Sequence, residues 1–219
     1  MSAEQALIAV VGGTGHLGAA LAHRWAKAGL EVVIGSRDPA RAREAAHALG
    51  QVLGRPVEAA SNRDAALRAG IVVVTVPYAA QADTLTDIRP VVSGKIVVDT
   101  TVPLVPPKVA RVQLPPETSA ALAAQKRLGE GSRVVAAFHN VAAHKLQMDV
   151  QIDCDVLVFG DDPKDRAVAV ALAEAAGLRG VHAGPLANSV AGEALTSVLI
   201  GINRNYKVDG AGIRITGIV

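Results

Sequence analysis

The chain has 219 residues, enough for one domain or one domain with a small appendage. Half of them are hydrophobic and only 2% aromatic, so a large core is expected, and an aliphatic one. A formal net charge of +2 without arginine–aromatic interleaving carries no nucleic-acid signature, and no apolar run reaches the ~20 residues of a membrane span.

The N-terminus, Met1 to Gln5, lacks a basic region and a long apolar segment, so no signal peptide is expected. Leu7 to Val11 reads as the first strand. It runs into Gly12, Gly13, Thr14, Gly15, His16, Leu17 and Gly18, then into an alanine-rich helix from Ala19 to Ala28. Strand, glycine turn and helix in that order predict a dinucleotide site. Gly13 is expected to permit the tight turn, Gly15 to let backbone approach a pyrophosphate, and Gly18 to let helix pack close on strand. Free N–H groups and the positive end of the helix dipole then face the phosphates.

The second strand, Leu30 to Gly35, ends in Ser36 and Arg37. A site for NAD usually places a carboxylate there for the ribose 2′-hydroxyl. A hydroxyl followed by a guanidinium suits a 2′-phosphate instead, with Arg41 one helical turn on as a second clamp. Charge-assisted hydrogen bonds are worth roughly 1.5–3 kcal/mol each, so NADP(H) is the expected cofactor. The alternative has Ser36 as a turn residue and both arginines on a solvated helix face.

Asp38 and Pro39 start a helix to about Leu49. Pro56 to Ala60 predicts a short strand, and Ser61 opens a helix to about Ala69. Ile71 to Val76 is a β-branched strand ending at Pro77 and Tyr78. A helix over Ala79–Ile88 and a strand over Lys95–Thr100 follow. Prolines 103, 106, 107, 115 and 116 make residues 101–118 a long loop. Ser119–Leu128 reads as helix and Arg133–His139 as strand. Val156–Gly160 is a further strand, Lys164–Ala176 a helix, Val181–Ala183 a short strand, Ser189–Asn205 the last helix, and Gly210–Val219 a tail. The alternation predicts an α/β, Rossmann-type doubly wound and mostly parallel sheet with a small C-terminal α/β extension. Residues 1–140 are expected to form the dinucleotide-binding domain and 141–219 the smaller part.

Ligands collect at the carboxyl ends of strands in such sheets. Val76-Pro77-Tyr78, Thr100 to Pro106 and Phe138 to Ala143 leave such ends and are expected to converge near the nicotinamide. His139 is a candidate to hydrogen-bond a ring carbonyl or pass a proton, against a strand-end histidine satisfied by backbone. No Cys, His and carboxylate set stands at ligand spacing, so no metal is expected. The single cysteine, Cys154, excludes an internal disulfide framework and fits a reducing, cytoplasmic setting. Its neighbours Asp153 and Asp155 would raise its thiol pKa, a structural rather than nucleophilic pattern. Ser189, Glu193 and Thr196 fall along one side of the last helix, facing either a ligand or a dimer partner.

Taken in order, Gly-Gly-Thr-Gly-x-Leu-Gly at 12–18, Gly-Ser-Arg at 35–37, Val-Pro at 76–77, Pro-Leu-Val-Pro at 103–106, Phe-His-Asn-Val-Ala-Ala at 138–143, Gly-Asp-Asp at 160–162, Ala-Gly-Pro-Leu-x-Asn-Ser at 183–189, Glu-Ala-Leu-Thr at 193–196 and Gly-Ile-Arg-Ile-Thr-Gly at 212–217 resemble the NADPH-dependent reductases of the 8-hydroxy-5-deazaflavin coenzyme, coenzyme F-420. The resemblance implies an oxidoreductase that transfers hydride reversibly between NADP(H) and the deazaflavin, with the two rings stacked. It implies that Thr14, Gly15, His16, Leu17, Ser36, Arg37 and Arg41 hold NADP, with Ala143 and Ala211 lining it through backbone. It implies that His139, Val141 and Thr196 surround the deazaflavin. Some relatives carry Ser where this chain has Ala194. A homodimer is implied as well. The alternatives are a non-catalytic NADP-sensing protein, whose G-x-x-G-x-x-G spacing Gly12, Gly15 and Gly18 also match, an NADPH-dependent flavin or ferric reductase, and a small hydroxy-acid or imine dehydrogenase, which would need a further helical domain.

Overall fold

The computed structural model describes residues 6–148 and 150–218. The segment Met1 to Gln5, read above for a signal peptide, and Val219 at the end of the tail lie outside the described residues.

Six short strands form one sheet: β1 (Ile8–Val11), β2 (Val32–Ser36), β3 (Glu58–Ser61), β4 (Ile71–Val74), β5 (Ile96–Asp99) and β6 (Arg133–Ala136). Their order is β3-β2-β1-β4-β5-β6 and every neighbouring pair is parallel. The chain reverses direction across the sheet between β1 and β4, which opens a crevice at their carboxyl ends. The β-branched runs of β1, β4 and β5 are buried throughout because helices cover both faces. Leu21, Trp25, Leu49 and Leu172 pack on one face, and Ala65, Leu85, Ile88 and Leu128 on the other.

The first helix, α1 (His16–Lys27), starts three residues earlier than its alanine content suggests, so its N-terminus abuts the glycine turn. The next, α2 (Pro39–Leu53), has Asp38 as its N-cap and runs through Gly50 to a left-handed Gly54. Then come α3 (Asn62–Arg68), α4 (Tyr78–Ile88) and α5 (Ala120–Leu128). The short α6 (Ala143–Gln147) has no periodic signal in the sequence, and no side chain caps its N-terminus. The expected strand to His139 stops at Ala136, because Phe138 takes a left-handed conformation (φ 66°) and turns the chain out.

The C-terminal part adds β7 (Asp155–Val158), α7 (Pro163–Ala175), β8 (Arg179–His182) and α8 (Ser189–Tyr206). Strands β7 and β8 form their own parallel pair, joined to β6 by one antiparallel bridge between Ala136 and Phe159. Polar contacts from α1 fasten this part down. Arg24 Nε donates to the Leu146 carbonyl at 2.8 Å and Trp25 Nε1 to the Leu172 carbonyl at 2.7 Å. Buried Asp155 accepts from Arg179 and from the Ile215 N–H, which ties the tail across β7.

Candidate functional site

A cleft of about 480 Å³ opens at the β1–β4 reversal. Gly12, Thr14 and Gly15 line it from the glycine turn, Ser36, Arg37, Asp38 and Arg41 from the β2–α2 junction, and Asn62, Thr75, Val76, Pro77 and Ala80 complete it. The positive φ of the turn (79°) falls on Gly12, not on Gly13, which corrects the expected division of roles. Gly13 is needed because a Cβ there would meet the Val10 carbonyl at 2.8 Å. Gly15 keeps its expected openness, since an added Cβ meets only the Gly12 carbonyl at 3.4 Å. At Gly18 a Cβ would collide with Thr75 Oγ1 and with the Gly13 Cα, so helix and strand meet as closely as expected. Gly15 is the N-cap of α1, and no side chain occupies that helix end. An oxyanion would complete it.

Ser36 is buried and its Oγ accepts from the Asp38 N–H at 3.2 Å, which leaves the hydroxyl hydrogen free to donate. The Asp38 carboxylate lines the cleft, yet it accepts from the Ala40 and Arg41 N–H groups as cap of α2. The one acid beside the cleft is thus engaged by its own helix, and the exposed Arg37 and Arg41 present cationic groups there. The donor set fits a phosphorylated ribose better than a bare one.

A second cavity of about 240 Å³ lies between the β6–α6 segment and α8. His139, Asn140, Val141 and Ala142 line one side, Thr196, Leu199, Ile200 and Asn203 another, and His144, Asp209, Gly210 and Ala211 the rim. The expected ring contacts His139, Val141 and Thr196 therefore come together. Thr196 Oγ1 donates to the His139 carbonyl at 2.8 Å. The His139 side chain is buried, and its ring nitrogens make no hydrogen bond of good geometry, the Asp99 carbonyl being the backbone group beside them. Burial lowers its pKa to about 4, and the nearby Asp99 carbonyl pulls weakly the other way. The imidazole is neutral at pH 7, so it holds no proton to pass as a cation.

Two of the polar residues of α8, Ser189 and Glu193, have partners within the chain. Ser189 Oγ bonds Ser119 Oγ at 2.8 Å, and Glu193 accepts from the Ala120 and Ala121 N–H groups at 2.7 and 3.0 Å, capping α5. Desolvation raises the Glu193 carboxyl to about 7, with buried Asp99 adding to the effect. Asp99 itself rises to about 6 by desolvation, although it accepts from the Thr101 N–H and from Gln81. Burial, more than its acidic neighbours, raises the Cys154 thiol.

Other expected residues stand apart. Pro103 to Pro106 and Ala143 line neither cavity. Gly13, Gly18 and the partly buried Leu17 shape the turn from behind, and His16 is exposed at the start of α1. The Ala211 N–H is committed to Asn203 Oδ1 at 2.8 Å, which leaves its carbonyl for a ligand. Arg214 pairs with Asp153 and Asp155. Asn62 is not singled out by the sequence, although a polar residue at the carboxyl end of a strand is a signal, whereas Asn203 belongs to a polar cluster that the C-terminal fifth of the sequence displays. A larger groove of about 660 Å³ runs along Arg43, His47, Gln51 and Arg55 at the amino end of β3, remote from the strand ends where ligands collect. Among the described residues no group of three or more His, Cys, Asp or Glu could hold a metal ion, and no helix is long and apolar enough to cross a membrane.

Residues 7–103 match the family model described as NADP oxidoreductase, coenzyme F420-dependent. Along 96% of the chain, the sequence is 42% identical to the F420-dependent NADP reductase of Methanothermobacter thermautotrophicus, covering 95% of that protein. It is 40% identical to the enzyme of the same description from Methanocaldococcus jannaschii, over 96% of this chain and 98% of the relative. The crystal structure of a candidate F420-dependent NADP-reductase from Arthrobacter sp. FB24 superposes with a TM-score of 0.81 at 27% identity, covering 96% of this chain and 99% of that one. Kinship of that depth runs through the glycine turn, the second cavity and the C-terminal part alike, and it makes this chain a member of the F420-dependent NADP reductase family.

Proposed function

We propose that this protein transfers a hydride reversibly between NADP(H) and coenzyme F-420, with NADP in the glycine-turn cleft and the deazaflavin at the cavity beside His139. The observation that carries the reading is the pairing of two unlike sites on one sheet edge. One has an open helix N-terminus beside Ser36, Arg37 and Arg41; the other is a recess of mixed polar and apolar lining between the β6–α6 segment and α8. Gly13, Thr14, Gly15, His16, Leu17 and Gly18 form the phosphate cradle in this reading. Val76 and Pro77 stand where the cofactor leaves the turn, and Ala143 and Ala211 contribute backbone. His139, Val141 and Thr196 contact the deazaflavin.

The bound pair supplies the redox chemistry: a hydride leaves the nicotinamide for the deazaflavin, which also takes up one proton. The chain's task is then to bind, align and exclude water. The His139 imidazole is neutral and both of its nitrogens are buried, so it supports the wall of the recess and leaves the proton to solvent. Residues 1–140 would form the NADP-binding domain and 141–219 would contribute to the deazaflavin site, in a cytoplasmic homodimer joined through the outer face of α8. Mixing the protein with NADPH and oxidised F-420 tests the activity. Bleaching of the deazaflavin absorbance is expected; no bleaching alongside tight NADPH binding would instead support a sensor.

A further inference from the structure

The buried Asn62 stands out in the nucleotide cleft, because nothing in its own neighbourhood uses it. Ser61 caps α3, its Oγ accepting from the Asp64 N–H at 3.0 Å. Asn62, the first residue of that helix, is therefore free to turn back across the sheet edge. Its Oδ1 accepts from the Gly12 N–H at 3.1 Å, fifty residues away in sequence. That bond fixes the orientation of the amide, since only the oxygen can accept from an N–H. The Nδ2 group is then directed away from Gly12, and among the described residues no acceptor lies within hydrogen-bond distance of it. Asn62 also lines the cleft that Thr14, Gly15, Ser36 and Arg37 line.

The fold makes room for this side chain at a cost. Gly35 lies in the interior of β2, where glycine weakens a strand. A Cβ there would stand 3.1 Å from Asn62 Oδ1. The Nδ2 is not among the fully buried polar atoms that lack a partner, so it opens on the cleft, where a ligand oxygen can complete it. We propose that Asn62 binds the dinucleotide: its Oδ1 holds the turn at Gly12 while its Nδ2 donates to an oxygen of the pyrophosphate–ribose stretch between that turn and Ser36. This rests on the cleft being the NADP site.

Two substitutions separate donation from mere support of the turn. Asn62→Asp keeps an acceptor for the Gly12 N–H but puts an anionic oxygen where the donor was. Asn62→Ala removes both. Donation to the dinucleotide predicts that Asn62→Asp binds NADPH more weakly than Asn62→Ala, with a loss of about tenfold or more from the wild type, while the KM for F-420 stays unchanged. A purely structural role predicts the reverse order, and that order, or no change in either variant, overturns the proposal. Arg37→Asp is the control: if it leaves NADPH affinity intact, the placement of NADP falls; if it alone weakens binding, only the role of Asn62 falls. Should the Asp variant not fold, wild-type protein carrying ¹⁵N-asparagine gives the answer. The Asn62 side-chain amide, assigned by its absence in Asn62→Ala, is expected to shift on addition of NADP⁺, and an unmoved signal overturns the proposal.

Discussion

In the proposed NADP site, Ser36 and Arg37 would divide the recognition of a phosphate between a buried hydroxyl and an exposed cation. The hydroxyl is oriented because its oxygen already accepts from the Asp38 N–H. The guanidinium is not oriented by any such bond, so its contribution is mainly charge. Arg37→Asp replaces attraction with repulsion at the 2′-phosphate and leaves the unphosphorylated ribose of NADH little affected. NADPH affinity is expected to fall about tenfold or more while that for NADH changes far less, as measured by titration of each nucleotide. At the other cavity Thr196→Val removes the bond to the His139 carbonyl and one polar group from the wall. The KM for F-420 should rise several-fold with NADPH affinity unchanged; an unaltered KM would take Thr196 out of the site. Ser36, Arg37 and Thr196 were legible in the sequence because their meaning lies in residue type at a fixed distance from a motif. Asn62 was not, and neither was the partner of Glu193, because Gly12 and the start of α5 are fifty and more than seventy residues away from them.

At the scale of elements, the contact between α8 and α5 rests on a buried carboxylate. Glu193 caps α5, close to where the proline-rich loop ends, and Asp99 holds the beginning of that loop through the Thr101 N–H. Burial lifts the two carboxyls to about 7 and about 6, from ordinary values of 4.5 and 3.8. As pH rises, the unfolded chain gives up these protons first, so between the ordinary and the raised values the folded state binds more protons and stability falls. His139 works in the opposite sense: its pKa of about 4 in the fold against 6.5 outside adds stability as pH rises, complete above 6.5. The opposing histidine contribution therefore fades above pH 6.5, and the carboxyl effect dominates as pH rises towards 8. The melting temperature is expected to fall from there to about pH 8, and Glu193→Gln should flatten the slope by removing a contribution worth about 3 kcal/mol over the full window. The variant also forfeits one of the two capping bonds, a cost of about 1 kcal/mol that does not depend on pH. An equal slope in wild type and variant would assign the dependence elsewhere. Sequence periodicity found α5 and α8 but not this bond, because a polar residue on a helix face carries no record of which neighbour will cover it.

For the whole molecule, the sheet was the most legible part, since β-branched runs and glycine or proline breaks repeat through residues 7–139. The C-terminal part was less so. Strands β7 and β8 resemble further strands of the main sheet in composition, but they pair with each other because α7 connects them as a separate βαβ unit. That unit carries α8, whose outward side leaves a stripe at helical spacing. Ala191, Val198 and Asn205 are exposed, with Leu195 and Ile202 half-buried beside them. Val198 is 49% exposed at its centre, in a helix whose polar residues Ser189, Glu193 and Thr196 are all engaged within the chain. A second copy of the same stripe is the occupant that the proposed homodimer places there, since a two-fold axis brings identical small and apolar residues together. Val198→Arg sets two cations against each other at the middle of that contact. Light scattering after size-exclusion chromatography should then give the mass of one chain in place of two. NADPH affinity should be unchanged, because Val198 does not line the glycine-turn cleft. If the variant keeps the wild-type mass, the contact lies on another face. If wild type itself elutes as one chain, the stripe serves no self-association at all.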